Sequence, residues 1–127
     1  MTVTTADCPQ LTPPGGHYSH VAVHHGVAYL SGQLPLTPEG TPLAGEPFEV
    51  QVRQVLDNLD ACLATAGSSR EQLLSVAVYV TDIGDWPSFD RLYGAWLGTA
   101  RPARVVAGVQ ELHYGSAVEV QAIAAVG

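Results

Sequence analysis

Four of the chain's five histidines crowd into GGHYSHVAVHHG, residues 15–26: His17, His20, His24 and His25. Imidazoles at that density can hold a transition metal, move protons, or edge a hairpin. Spacing decides among these. Val21, Val23 and Gly26 favour strand over helix. Along a strand, His20 and His24 share a face but stand about 13 Å apart. Zinc ligands converge on one ion at about 2.0–2.1 Å, so this pair cannot close a tetrahedron. No HExxH glutamate accompanies them, and no metal or other cofactor is expected. His24 and His25 read as a solvated hairpin end. Nucleophilic chemistry has no clearer signature, because Ser19 and Ser31 lie in no GxSxG elbow and no Gly-rich phosphate loop is present.

Two charges stand out near the end of the chain. Arg104 opens RVVAGV, and Glu119 lies inside AVEVQAIAAV. Period-2 alternation puts Ala117, Glu119, Gln121 and Ile123 on one face and Val118, Val120, Ala122 and Ala124 on the other. A carboxylate in such a strand is costly to bury unless it is paired or lines a wet cleft. Arg104 and Glu119 therefore read either as structural charges, in an ion pair or on an exposed sheet face, or as the charges of a ligand cleft.

The elements that must position these residues follow from pattern. Residues 1–15, rich in Pro and Gly towards their end, form an extended arm. Val21–His24 and Val27–Ser31, broken at His25-Gly26, form a hairpin. PLTPEGTPLAGEP is a loop. Val52, Val55, Leu56, Leu59, Leu63 and Ala66 then recur at helical spacing, with Pro47 in the first turn and Gly67 just past the end. Leu73–Asp82 is a strand apolar on both faces, as expected when both are covered. Asp85 caps a second helix, with Pro87 in its first turn and a stripe of Phe89, Leu92, Tyr93, Trp96 and Leu97. VVAGV and SAVEVQAIAAV are two further strands. The order β-β-α-β-α-β-β predicts one α+β domain over residues 1–127, with both helices packed on one face of a mixed sheet.

Bulk properties exclude several classes. The 127 residues are 46% apolar and 13% charged, with a net charge of -7 and no lysine. Arg53, Arg70, Arg91, Arg101 and Arg104 are scattered, so a nucleic-acid backbone finds no basic patch and meets a repelling field. So few charges on a small domain suggest that partner subunits cover part of its surface. Cys8 and Cys62 make no disulfide framework and no CxxC. The start of the chain lacks the pattern of a signal peptide, and no run is apolar enough for a membrane span. The expectation is a cytoplasmic protein without membrane partners.

Taken in order, GGHYSHVAVHHGVAYLSGQLPL, QVRQVLDNLDACLATAGSS, VAVYVTDIGDWPSFDRLYGAWLG, RPARVV and AVEVQAIAAV resemble the Rid (YjgF-type) family of enamine/imine deaminases. The resemblance runs from about Gly16 to Val126. Its specific parts are the Tyr-Ser pair, SGQ, QVL-x-N-L, PAR and VE-x-x-A-I-A in sequence. It implies a chorismate-mutase-like α+β fold and a homotrimer with ligand clefts at the subunit interfaces. It also implies hydrolysis of 2-imino acids, and of enamine tautomers such as 2-aminoacrylate, to 2-keto acids and ammonia. The small-molecule partner is thus an imino or keto acid.

Carried onto this chain, the resemblance makes Arg104 the carboxylate-binding residue and Glu119 the one that holds and deprotonates water. Tyr18, Phe89 and Val106 would line the cleft, and the backbone at Gly32 would approach the ligand closely. No cofactor is implied, since an imine carbon is already electrophilic. The chain departs from the family at His17 (often Pro), His20 (often Gln, here an auxiliary candidate), Asp90 (often Asn) and Val106 (often Cys). These departures leave open a relative that deaminates or cyclises a larger biosynthetic intermediate, and a non-catalytic small-ligand-binding protein.

Overall fold

The computed structural model describes residues 2–127. Its framework is a six-stranded sheet built around two amphipathic helices. The longer helix, α1 (Phe48–Ala66), begins after Pro47 and ends at Gly67, whose φ of 75° lets the Gly67 and Ser68 N–H groups turn back onto the carbonyls of Ala64 and Leu63. Its predicted stripe is the buried one: Val52, Val55, Leu56, Leu59 and Leu63 are all at most 4% exposed. The shorter helix, α2 (Trp86–Leu97), follows a 3-10 turn at Ile83–Asp85. The cap expected of Asp85 is not made. Instead Asp82 accepts the Gly84 N–H at 2.9 Å, one turn earlier, because that turn brings the Gly84 donor within reach of the Asp82 side chain.

The strands are β1 (Thr4–Ala6), β2 (Val21–His24), β3 (Val27–Gln33), β4 (Leu73–Val80), β5 (Ala103–Gly108) and β6 (Val118–Ala125). They lie in the order β1-β2-β3-β6-β4-β5, and only β4 and β5 run parallel. The β2–β3 hairpin turns through His25 and Gly26, at φ 51° and 73°, the two positive values that a tight hairpin requires. The N-terminal arm contributes β1, a short exposed edge strand paired to β2.

Alternation along the strands separates two faces. Val76, Val78, Val80, Val118, Val120, Ala122 and Ala124 face the helices and form the core. Ser75, Ala77, Tyr79, Glu119, Gln121 and Ile123 share the opposite face. β4 was expected to be covered on both sides. Within this chain its second side carries no layer, and Tyr29, Leu74 and Val105 are 50%, 48% and 55% exposed. Between Leu30 and Gln33 the β3–β6 register slips by one residue. The resulting bulge places Ser31 and Gly32 beside the middle of β6.

Candidate active site

Glu119 projects from the open face of β6, opposite Tyr79 on β4. It lines a cavity of about 760 Å³ whose walls come from the arm, the bulge and the segment before β6. The carboxylate fits because of Gly32. A Cβ at that position would overlap Glu119 Oε2 and lie 3.1 Å from its Cδ. Gly32 was expected to let a ligand near the backbone. What its missing side chain provides here is room for the Glu119 carboxylate.

Side-chain hydrogen bonds hold this arrangement in place. Ser31 Oγ donates to the Ser19 carbonyl at 2.6 Å, and Gln33 Nε2 donates to the Ser31 carbonyl at 3.1 Å, bracing the bulge. Asn58 Nδ2 donates to the carbonyls of Leu34 and Leu36 at 3.2 and 3.1 Å, tying the wall that follows β3 to α1. Gln51 Oε1 accepts the Ala117 N–H at 2.9 Å, fixing the start of β6. Glu119 itself is half-buried and makes no hydrogen bond among the described residues. Burial pushes its carboxyl above the usual carboxylate range, and the charge of His113 partly opposes that. Such a group can hand a proton back and forth near neutral pH more readily than a solvated glutamate.

Aromatic side chains form one wall of the cavity. Tyr18 borders the cavity, 53% exposed. Tyr114 joins it from a left-handed backbone, φ 61°, and His113 stands beside it. Sequence reading passed over Asn58, His113 and Tyr114 as site residues. Asn58 had a signal, a polar residue on the buried stripe of α1 between Val55 and Leu59. His113 and Tyr114 lie in a loop with no pattern.

Arg104 is elsewhere. In parallel register it pairs with Val76, so its side chain leaves the sheet on the helix side. There Nη1 donates to Asp90 Oδ1 at 2.5 Å, and the guanidinium sits 5.3 Å from the Tyr93 ring centroid. Within one chain Arg104 and Glu119 thus occupy opposite faces with β4 between them, and the ion pair considered from sequence does not form. Among the described residues, no arginine lines the Glu119 cavity.

Three other expected positions stand apart from Glu119 or are engaged elsewhere within one chain. Phe89 lies outside the Glu119 cavity: it is 0% exposed and stacks on Tyr93 with ring centroids 5.2 Å apart, because its side of α2 turns into the core. Val106, in register with Val78, packs against the core from β5 and lies outside the cavity. His20 borders the cavity but is buried, and its Nδ1 accepts the Cys8 N–H at 2.9 Å. That bond anchors the arm and leaves the ring proton on Nε2. His24 and His25 stay at the hairpin end, with ring centroids 4.0 Å apart. Among the described residues, no three His, Cys, Asp or Glu side chains gather as a metal-binding group, and no helix is long and apolar enough to cross a membrane.

Fold and site define a small α+β domain that presents a half-buried, unpaired carboxylate in a cleft beside a β-bulge. Residues 10–126 match the protein family described as Endoribonuclease L-PSP. A RutC family protein of Aquifex aeolicus is 36% identical over 118 residues, 91% of this chain and 94% of that one. Among solved structures, YEO7 of yeast superposes with a TM-score of 0.95 at 29% identity, covering 99% of this chain and 100% of its own. The Rid family protein YyfA of Yersinia pestis gives 0.93 at 31% identity, covering 98% and 100%. The chain belongs to the Rid (YjgF-type) family.

Proposed function

We propose that the protein hydrolyses small 2-imino acids, and their enamine tautomers, to 2-keto acids and ammonia. The observation that carries this reading is the Glu119 carboxylate, half-buried, without a hydrogen-bond partner and given room by Gly32. A water bound to it would lose a proton to the carboxylate while its oxygen adds to the imine carbon. The protonated Glu119 would then return that proton to nitrogen, and the carbinolamine would collapse to ketone and ammonia. Arg104 would hold the substrate carboxylate through a planar two-point contact. Since Arg104 and Glu119 diverge within one chain, the complete site requires Arg104 of one copy to meet Glu119 of another. A ring of three copies closing over the open sheet face is the assembly that the family resemblance implies.

Imines generated in situ by an amino-acid oxidase, with keto acid and ammonia measured, test the activity. Absence of any acceleration over spontaneous hydrolysis counts against it. Co-expression of Arg104→Ala with Glu119→Gln tests the shared site. Each variant alone should be inactive, and random mixing should restore about one quarter of parental activity, the share of interfaces that keep both residues. No recovery in assembled mixed oligomers would place both residues in one chain's site.

A second reading has its own support. Asp90 already occupies the Arg104 guanidinium, so a ligand carboxylate must displace it. This favours a relative that takes a larger or less anionic intermediate, or one that binds without turnover. Calorimetry with keto acids beside the imine assay separates these outcomes.

A further inference from the structure

Cys8 and Cys62, 54 positions apart in sequence, meet inside the molecule with their Sγ atoms 3.4 Å apart. Both are buried, at 2% and 0% exposure. Cys62 lies on the core face of α1, whereas Cys8 belongs to the N-terminal arm just after β1. The arm is pinned to His20 immediately ahead of the thiol. The Cys8 N–H donates to His20 Nδ1 at 2.9 Å, and the His20 N–H donates to Asp7 Oδ1 at 3.1 Å. Two sulfurs held in contact by a pinned arm and a buried helix face do not behave as two separate buried thiols.

We propose that Cys8 and Cys62 are a reversible disulfide site for peroxide-class oxidants, closing the arm onto α1. The sulfurs must approach by roughly 1.4 Å to reach bonding distance, within the range of rotation about the two Cα–Cβ bonds. The hydrogen bond with Cys62 draws the Cys8 thiol well below the usual thiol range, against burial and with help from Thr65, while the same contact and burial push Cys62 up. Cys8 is the attacking sulfur, because it sits on the arm beside the exposed edge strand β1, and Cys62, on the core face of α1, is the resolving one. The Cys8 thiolate attacks one peroxide oxygen, the O–O bond breaks, and a sulfenic acid and hydroxide form. Cys62 then attacks the Cys8 sulfur: the S–S bond forms, the S–O bond breaks, and water leaves with the Cys62 proton. Two thiols and one hydrogen peroxide give one disulfide and two waters, and a small thiol reverses the step by exchange.

Access follows from the fold. β1 is exposed along its whole length and lies at the sheet edge, so fraying of this strand opens a path to Cys8. Leu11, Thr12, Pro13 and Gly15, which follow Cys8, form part of the cavity wall. Oxidation would stiffen that wall without touching Glu119.

The full chain, treated with hydrogen peroxide, quenched, unfolded and alkylated, provides the test. Reduced protein should take up alkyl groups on both free cysteines. Oxidised protein should take none, and its digest should contain a linked Cys8–Cys62 peptide that dithiothreitol separates. Closing a loop of 54 residues should raise Tm by about 7–15 °C. Cys62→Ser should stop at an oxidised Cys8 with no rise in Tm, and Cys8→Ser should leave Cys62 alkylatable. Both cysteines remaining alkylatable after peroxide, overoxidation without a linked peptide, or disulfides only between chains would each overturn the proposal.

Discussion

Replacing Gly32 by alanine asks how closely the chemistry depends on where the Glu119 carboxylate sits. The added methyl would overlap Oε2 and stand 3.1 Å from Cδ and 3.4 Å from Cγ. Gly32 does not adopt a left-handed backbone, so alanine can take its conformation and the cost is contact alone. The contacted atoms are the free end of a flexible side chain beside a cavity, so the carboxylate should yield by roughly 1 Å rather than the bulge. Overpacking relieved in this way costs about 1 kcal/mol, the low end for such insertions. In a chain of 127 residues that lowers Tm by about 4 °C. A base misplaced by about 1 Å, however, costs on the order of 10²-fold in rate, or about 2.7 kcal/mol of barrier. Gly32→Ala should therefore lose about a hundredfold in kcat for a 2-imino acid while remaining folded and still binding a keto acid. Steady-state kinetics, calorimetry and thermal melts on one preparation read all three. Parental kcat in a folded Gly32→Ala protein would refute the link between the bulge, the carboxylate and the chemistry.

Glu119→Gln should lower kcat by about 10²–10⁴. Because burial raises the carboxyl pKa in the folded state, the folded chain binds this proton more readily than the unfolded one, and the associated stability is lost as pH rises through the folded value. Glu119→Gln should thus melt higher than the parent at neutral pH, with the difference vanishing below the ordinary carboxylate range; melts that differ equally at every pH would contradict this. Arg104→Lys should lose at least about tenfold in kcat/KM, since a lone ammonium cannot reproduce the two-point contact. Asp90→Asn removes the carboxylate that competes for Arg104 and should lower KM for an imino acid by about threefold or more; an unchanged KM would dismiss the competition. Light scattering should report a trimer, and Val105→Asp, which puts a charge on the uncovered sheet face, should yield monomers. A trimer that survives Val105→Asp would exclude that face as the interface.

Local pattern made much of this protein legible. The stripe from Val52 to Leu63 specifies α1 and its buried face, because side chains three and four positions apart share one side of a helix whatever lies beyond. His25-Gly26 marks the hairpin, because few dipeptides take two positive φ values in succession. The alternation around Glu119 separates a core face from an open one. Family motifs then named the carboxylate, the arginine and Tyr18 before any contact was visible.

Tertiary structure decided how these pieces stand to one another. Strand order and register arise from pairing between distant segments, and no local period encodes them. Inserting β4 between β6 and β5, with Arg104 in step with Val76, sends the arginine and Glu119 to opposite faces. A one-residue slip at Ser31-Gly32 makes the glycine a neighbour of the carboxylate. The same long-range packing drew Phe89 into the core, brought Cys8 against Cys62, and made His20, at the cavity edge, the anchor of the arm. Sequence alone nominated the residues proposed to carry the chemistry, since type and motif are properties of the chain. Their placement on one face or the other was set only when hydrogen-bonded strands fixed the direction of each side chain.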